Sequence, residues 1–163
     1  MIDITKVDCL VGNGNFFQDY SELIDSHSCI ARINTLDGLG FDRGSNTDIL
    51  FLSSCSNNTL DPKVNKFYPT VHVSPKHRSQ CICNEKLHLD PIQSIRTDRI
   101  SSGTRIINYL DGKVDNLSLF GFNWRKDPTS FYNNYVGAGP HDWYNEMVLC
   151  LEIIKKNNWS LYV

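Results

Sequence analysis

Short apolar runs closed by polar, glycine- or asparagine-bearing breaks recur along the chain. Residues 7–11, 29–34, 47–52 and 67–73 each read as a strand. The third is apolar at nearly every position after its start, which suits a parallel sheet covered on both faces. Residues 117–122 predict a further strand and residues 159–163 a last edge strand. Between the strands the apolar period lengthens. Residues 16–24 predict a helix, and a second opens at 100–104 and runs through 110, ended by Asp111-Gly112. The longest lies beyond residue 141, where Trp143, Met147, Cys150, Leu151 and Ile154 recur at helical spacing and define one face to bury. Strands alternating with helices predict an α/β fold. The expectation is a single Rossmann-like three-layer α/β/α sandwich around a mostly parallel sheet of roughly six or seven strands, with its site at their C-terminal edge.

Chemistry gathers in the breaks. Gly12-Asn13-Gly14-Asn15 follows the first strand and precedes a helix. Glycines there let backbone approach a phosphate and asparagines add donors, although the full dinucleotide fingerprint is absent and a plain turn reads equally well. Asn34 closes the second strand. Ser102 and Gly103 open a helix, where hydroxyl and N–H groups either face an anion or simply cap. Gly121 and Phe122 end the strand that follows. The next loop is dense in aromatics, Trp124, Phe131, Tyr132 and Tyr135, and reads as a lid or as a packed satellite cluster. Then Gly137-Ala138-Gly139-Pro140 delivers His141 to a helix start, with Pro140 suited to the entry and Asp142 to the first turn. His141 reads as a packed or capping histidine, or as a base kept neutral because the helix dipole opposes a further positive charge. Glu146 lies five residues on, off the same helical face, so spacing does not require the two to touch.

Composition narrows the classes. At 163 residues the chain predicts one domain, spanning 1–163, and its 40 % apolar content is ordinary for a globular protein. The net charge of -2 gives no nucleic-acid footprint. No apolar run reaches about 18 residues, so no transmembrane segment is expected. The first residues lack the pattern of a signal peptide, which points to the cytosol or the cytosolic face of a membrane. The six cysteines are scattered and predict free thiols. His72, His77, Cys81, Cys83 and His88 cluster in sequence, but at no common zinc spacing. A zinc-binding structural segment there is the weakest reading, and a loop or acceptor-side insert the expected one.

Four separated stretches, in order, resemble the eukaryotic-type sialyltransferases, glycosyltransferase family 29. Val11-Gly12-Asn13, Ile24-Asp25-Ser26-His27 and Arg32-Ile33-Asn34 resemble the long sialylmotif. Ser101-Ser102-Gly103 with Leu119-Phe120-Gly121-Phe122 resembles the short one, Phe131-Tyr132 falls at the third motif, and His141 to Glu146 resembles the very small motif, H-x4-E. Residues 55–98 find no counterpart. The family's bridge between its two larger motifs has no equivalent, since Cys9 is near one end but residues 108–117 hold no cysteine. The chain is also shorter than the family's usual catalytic domain and lacks its membrane anchor, so it looks like a minimal bacterial or viral-type member.

The resemblance implies a GT-A-like variant of the fold and an inverting glycosyltransferase that moves sialic acid from CMP-sialic acid to a sugar hydroxyl. His141 would be the general base, with Glu146 in its motif. Gly12, Asn13 and Asn34 would hold phosphate and ribose. Ser102, Gly103, Gly121 and Phe122 would hold ribose and cytosine. Tyr132 and Ser26 are candidates for contacts to substrate. No D-x-D pair occurs in the sequence, so no metal and no cofactor are expected beyond the CMP-sugar donor and a glycan acceptor. Another CMP-activated acidic sugar such as Kdo needs the same nucleotide pocket. A non-catalytic nucleotide- or glycan-binding module on the scaffold is the reading from a different class. Acceptor, linkage and oligomeric state are not encoded legibly.

Overall fold

The computed structural model describes residues 2–36, 39–53, 68–73, 83–87, 89, 92–95, 100–124 and 141–163. Seven strands form one sheet in the order β5-β4-β3-β2-β1-β6-β7, and every neighbouring pair is parallel. They are β1 (Cys9–Val11), β2 (Ile30–Ile33), β3 (Ile49–Leu52), β4 (Thr70–His72), β5 (Glu85–Lys86), β6 (Ser118–Phe120) and β7 (Ser160–Tyr162). Three α-helices accompany them among the described residues: α1 (Ser21–Asp25), α2 (Ser102–Leu110) and α3 (Trp143–Asn157).

Period-two alternation sends successive side chains to opposite faces of the sheet. Leu10, Ala31, Ile33, Ile49, Phe51 and Leu119 lie in one core with Ile106, Ile107 and Leu110 of α2 and Cys150, Ile153 and Ile154 of α3. Cys9, Val11, Ile30 and Phe120 lie in a second core with Ile24 of α1 and with Tyr20. Helices therefore cover both faces, and the α/β three-layer Rossmann-like sandwich expected from the sequence is the observed fold. On the second face Phe120 stacks on Tyr162, rings 4.6 Å apart, and Tyr20 meets both edge-on.

Several elements differ from their sequence expectation. Residues 16–20 are not helical. Asp19 accepts the Ser21 amide at 2.8 Å, which starts the helix late. Phe16 packs instead against Tyr20 and Phe120. The buried stripe of α3 is Glu146, Cys150, Ile153 and Ile154, while Leu151 is 40 % exposed. Cys150 and Ile154 lie on the face that apolar counting selected, and Glu146, in the first turn, and Ile153 join them where Leu151 was expected. Residues 74–95, read as a loop or insert, contribute β5, whose edge is fixed by Asn84 accepting the Thr70 amide at 2.8 Å. His77, Cys81 and His88 lie outside the described residues. Among the described residues no group of three His, Cys, Asp or Glu side chains is placed to hold a metal ion.

Cys9, Cys29, Cys83 and Cys150 are free thiols. Burial pushes Cys9 up to about 12 and Cys150 up to about 11, so neither is a thiolate at neutral pH. Among the described residues no helix is long and apolar enough to cross a membrane.

Candidate functional site

The sheet order places the site. From β1 the chain moves outward through β2 to β5, and it then returns to the other side of β1 as β6. After β1 it enters α1, on one face of the sheet. After β6 it leads to α3, on the opposite face. Segments that part from adjacent strand ends to opposite faces open a crevice between them, the position where ligands bind in open α/β sheets.

Glycines floor this crevice. The Gly12 amide donates to Phe120 O at 2.7 Å and the Gly14 amide to Gly121 O at 2.9 Å. A Cβ on Gly12 or Gly14 would lie 2.8 or 2.6 Å from Gly121 O. Gly121 has φ +70°, a conformation that glycine tolerates and other residues resist. The two strand ends thus touch backbone to backbone, which no side chain at these positions would permit.

Phe122 carries the floor across to α2. A Cβ on Gly12 would meet one edge of its ring at 3.3 Å, and a Cβ on Gly103 the other edge at 2.8 Å. Its ring is buried, so Gly103 serves to admit Phe122 against the first turn of α2. Ser101 is the N-cap of that helix, and its hydroxyl accepts the Thr104 amide.

The acid of the H-x4-E segment ends at the same turn. Glu146 is fully buried. Its carboxylate accepts the Ser101 amide at 3.2 Å, the Thr104 hydroxyl at 2.6 Å and the Ser101 hydroxyl. Negative charge is favoured at a helix N-terminus, and here α3 supplies it to α2. Burial alone would push this carboxyl up. The facing His141 ring and donation from Ser101 and Thr104 outweigh burial and hold it below its ordinary value, so it stays ionised. His141 Nδ1 lies 3.5 Å from Glu146 Oε1, an ion-pair distance looser than a good hydrogen bond. Nδ1 is buried while the side chain is 27 % exposed, so the exposure falls on the other ring atoms. His141 also packs on Trp143, ring centroids 4.7 Å apart. Spacing on a helical wheel did not require this contact. His141 precedes Asp142, the N-cap of α3, so the chain at His141 is not bound to helical geometry and folds back over the first turn.

The structure thus brings Gly12, Gly103, Gly121, Phe122, His141 and Glu146 into one continuous set. Asn13 sits between Gly12 and Gly14, in the turn after β1. Asn34 lies at the same edge, one strand over, with φ 63°. Its Oδ1 is taken by the Ser53 amide and hydroxyl at 2.9 and 3.0 Å, so it ties the ends of β2 and β3 together. Ser102 is half-buried in the first turn of α2. Ser26 is not brought to the set. It caps the C-terminal end of α1, at the opposite edge of the sheet, where its hydroxyl donates to Leu23 O at 2.7 Å. A helix crossing between two parallel strands starts at the site edge and ends away from it. Tyr132 and Phe131 lie outside the described residues.

Sequence reasoning missed Ser101, Thr104 and Arg43. Ser101-x-x-Thr104 was legible as a cap, but nothing in the sequence showed that an acid 42 residues beyond Thr104 would join it. Arg43 is 3 % exposed in a Gly- and Asp-rich loop, and its guanidinium donates to Gly12 O at 3.0 Å and to Gly14 O.

No protein-family model matches the chain, and no curated protein matches it in sequence. Among solved structures it is similar to a crystal structure of a mammalian sialyltransferase, with TM-score 0.60 and 15 % identity over 94 % of this chain and 67 % of that one. At that identity the likeness is one of fold: the chain has a sialyltransferase-like arrangement of sheet and helices.

Proposed function

We propose that the chain is an inverting glycosyltransferase that moves sialic acid from CMP-sialic acid to a sugar hydroxyl, with His141 as general base and no metal. The observation that carries this reading is the His141–Glu146 pair, set beside α2 and joined through Gly103 and Phe122 to the glycine floor at the β1/β6 crevice. The fold likeness to a mammalian sialyltransferase and the four motif-like stretches support it. An alcohol is a poor nucleophile until its proton starts to leave, so a base is needed. A carboxylate facing Nδ1 orients the ring and favours a proton on that nitrogen, which leaves Nε2 as the acceptor. Glu146 would also stabilise the imidazolium once it forms. Asn13, Gly12, Asn34, Ser102 and Gly121 are the proposed nucleotide contacts. The departing CMP phosphate would be received by backbone and amide donors of the turn at 12–15.

The test is CMP release from CMP-sialic acid in the presence of a panel of glycan acceptors. Release by the wild type, lost in His141→Ala with CMP binding retained, is the expected result. Release from CMP-Kdo and none from CMP-sialic acid would replace the sugar while keeping the pocket. Transfer unchanged in His141→Ala would remove the base. CMP binding without release from any donor would favour a non-catalytic module.

A further inference from the structure

The turn at residues 12–15 is shaped from behind by a side chain that no motif includes. In a trans peptide the C=O and the following N–H point in opposite directions, and the described chain has no cis peptide. Arg43 Nη1 holds Gly12 O at 3.0 Å, and Nη2 holds Gly14 O. The N–H groups of Asn13 and Asn15, the other halves of those two peptides, are therefore turned away from the buried guanidinium. The amides of Gly12 and Gly14 are already spent on Phe120 O and Gly121 O. With these two carbonyls gathered on the guanidinium side, the Asn13 amide is directed to the other, where it can donate to an anion. Only a planar fork of donors reaches two carbonyls two residues apart in this way.

The fork is itself held. Phe16 lies under the guanidinium, 4.2 Å from its carbon to the ring centroid. Arg32, also 3 % exposed, donates from Nη2 to the Arg43 carbonyl at 2.8 Å and to Asn46 O at 2.9 Å, and from Nε to Thr47 Oγ1 at 2.8 Å. Asp25 accepts the Ser45 and Asn46 amides, and the Tyr20 amide donates to Asp42 O at 3.0 Å. Arg32 belongs to one of the motif-like stretches, yet its guanidinium serves the 43–47 loop. Burial lowers Arg43 to about 10, so it keeps its charge at neutral pH. Asp42 Oδ1 lies 4.0 Å from Nε.

We propose that Arg43, braced by Arg32, is a positioning residue for the nucleotide phosphate: it sets the turn so that the Asn13 amide and a buried positive charge behind it favour the anion, without touching it. This rests on the CMP-sugar reading and adds to it a residue outside all four motif-like stretches.

The test is calorimetric titration of the wild type, Arg43→Met and Arg43→Lys with CMP and with cytidine. Arg43→Met should bind CMP roughly tenfold or more weakly, in line with loss of charge-assisted support, while cytidine binding changes little. Arg43→Lys, with charge but no fork, should fall between. Equal losses for CMP and cytidine, or no loss for either, would overturn the proposal and leave the CMP-sugar reading intact. A wild type that binds no CMP would overturn that reading itself. If Arg43→Met does not fold, the wild-type amide spectrum decides. CMP should move the Asn13 amide proton downfield and cytidine should not; an unmoved Asn13 amide under saturating CMP would overturn the proposal.

Discussion

Glu146 holds two elements and one side chain at once. It anchors the first turn of α3 to the N-terminus of α2 and faces His141. Removing it by Glu146→Ala leaves a buried amide and two hydroxyls without their acceptor, and should cost about 2–4 kcal/mol in denaturant unfolding. Glu146→Gln keeps an acceptor and should keep the fold. On the proposed mechanism it should lower transfer by a factor on the order of 10²–10⁴, because the amide would neither fix the His141 tautomer nor stabilise its charged form. The pH dependence has a definite sign. The folded-state value of Glu146 lies below its ordinary 4.5. The unfolded chain therefore binds the proton more readily, and this stabilisation is full above about pH 4.5 and is lost as pH falls through the folded value. Acid unfolding followed by circular dichroism should show it, and Glu146→Gln should flatten that part of the curve. An unchanged acid limb in the Gln variant would mean that the carboxylate carries no such linkage.

At the scale of elements, the N-terminus of α2 and the ends of β1 and β6 were legible to different depths. Apolar runs placed the five interior strands, β1 to β4 and β6, near their true positions, because buried parallel strands announce themselves by composition, and β7 was read as the edge strand it is. β5 was not legible: Glu85 and Lys86 carry no apolar signal and join the sheet through Asn84 and the pairing of Val71 with Glu85. The face of α3 was legible at Cys150 and Ile154 but not at Glu146, because a buried acid looks like a surface residue until its partners are known. The glycines at 12, 103 and 121 were legible as breaks, and structure shows what each admits. Gly121→Ala is the sharpest probe. A side chain at φ +70° costs about 1–2 kcal/mol, and its Cβ would lie 3.0 Å from Gly12 O and 2.8 Å from Phe16. Urea unfolding should show a loss of at least about 2 kcal/mol. Ser101→Ala removes both the cap of α2 and a donor to Glu146, and should cost about 1–2 kcal/mol. If either variant were as stable as the wild type, the contacts described at that helix or strand end would not carry load.

Across the whole molecule, the reversal of strand order between β1 and β6 is what makes the candidate site a property of the fold. The sequence could show strand ends rich in Gly and Asn, but only topology shows that the first and sixth strands are neighbours and that their following helices lie on opposite faces. The same topology separates Ser26, in the same motif-like stretch as His27, from the site edge. A nucleotide seated in that crevice would contact the β1 turn, the β6 end and α2 together, so its binding should stabilise the chain as a unit. For a ligand present at 100 times its Kd the gain is about 2.7 kcal/mol. For a chain of this size that corresponds to a rise in Tm of about 5–10 °C. CMP should give that rise in a thermal-shift measurement, and UDP and GDP at the same concentration should give little. If the proposed nucleotide contacts span all three elements, Gly103→Ala, whose Cβ would press 2.8 Å from the Phe122 ring, should shrink the CMP shift even when measured against its own lowered starting Tm. A full CMP shift in that variant would place the nucleotide away from Phe122 and the α2 terminus. A larger shift with UDP than with CMP would place a different base in the crevice.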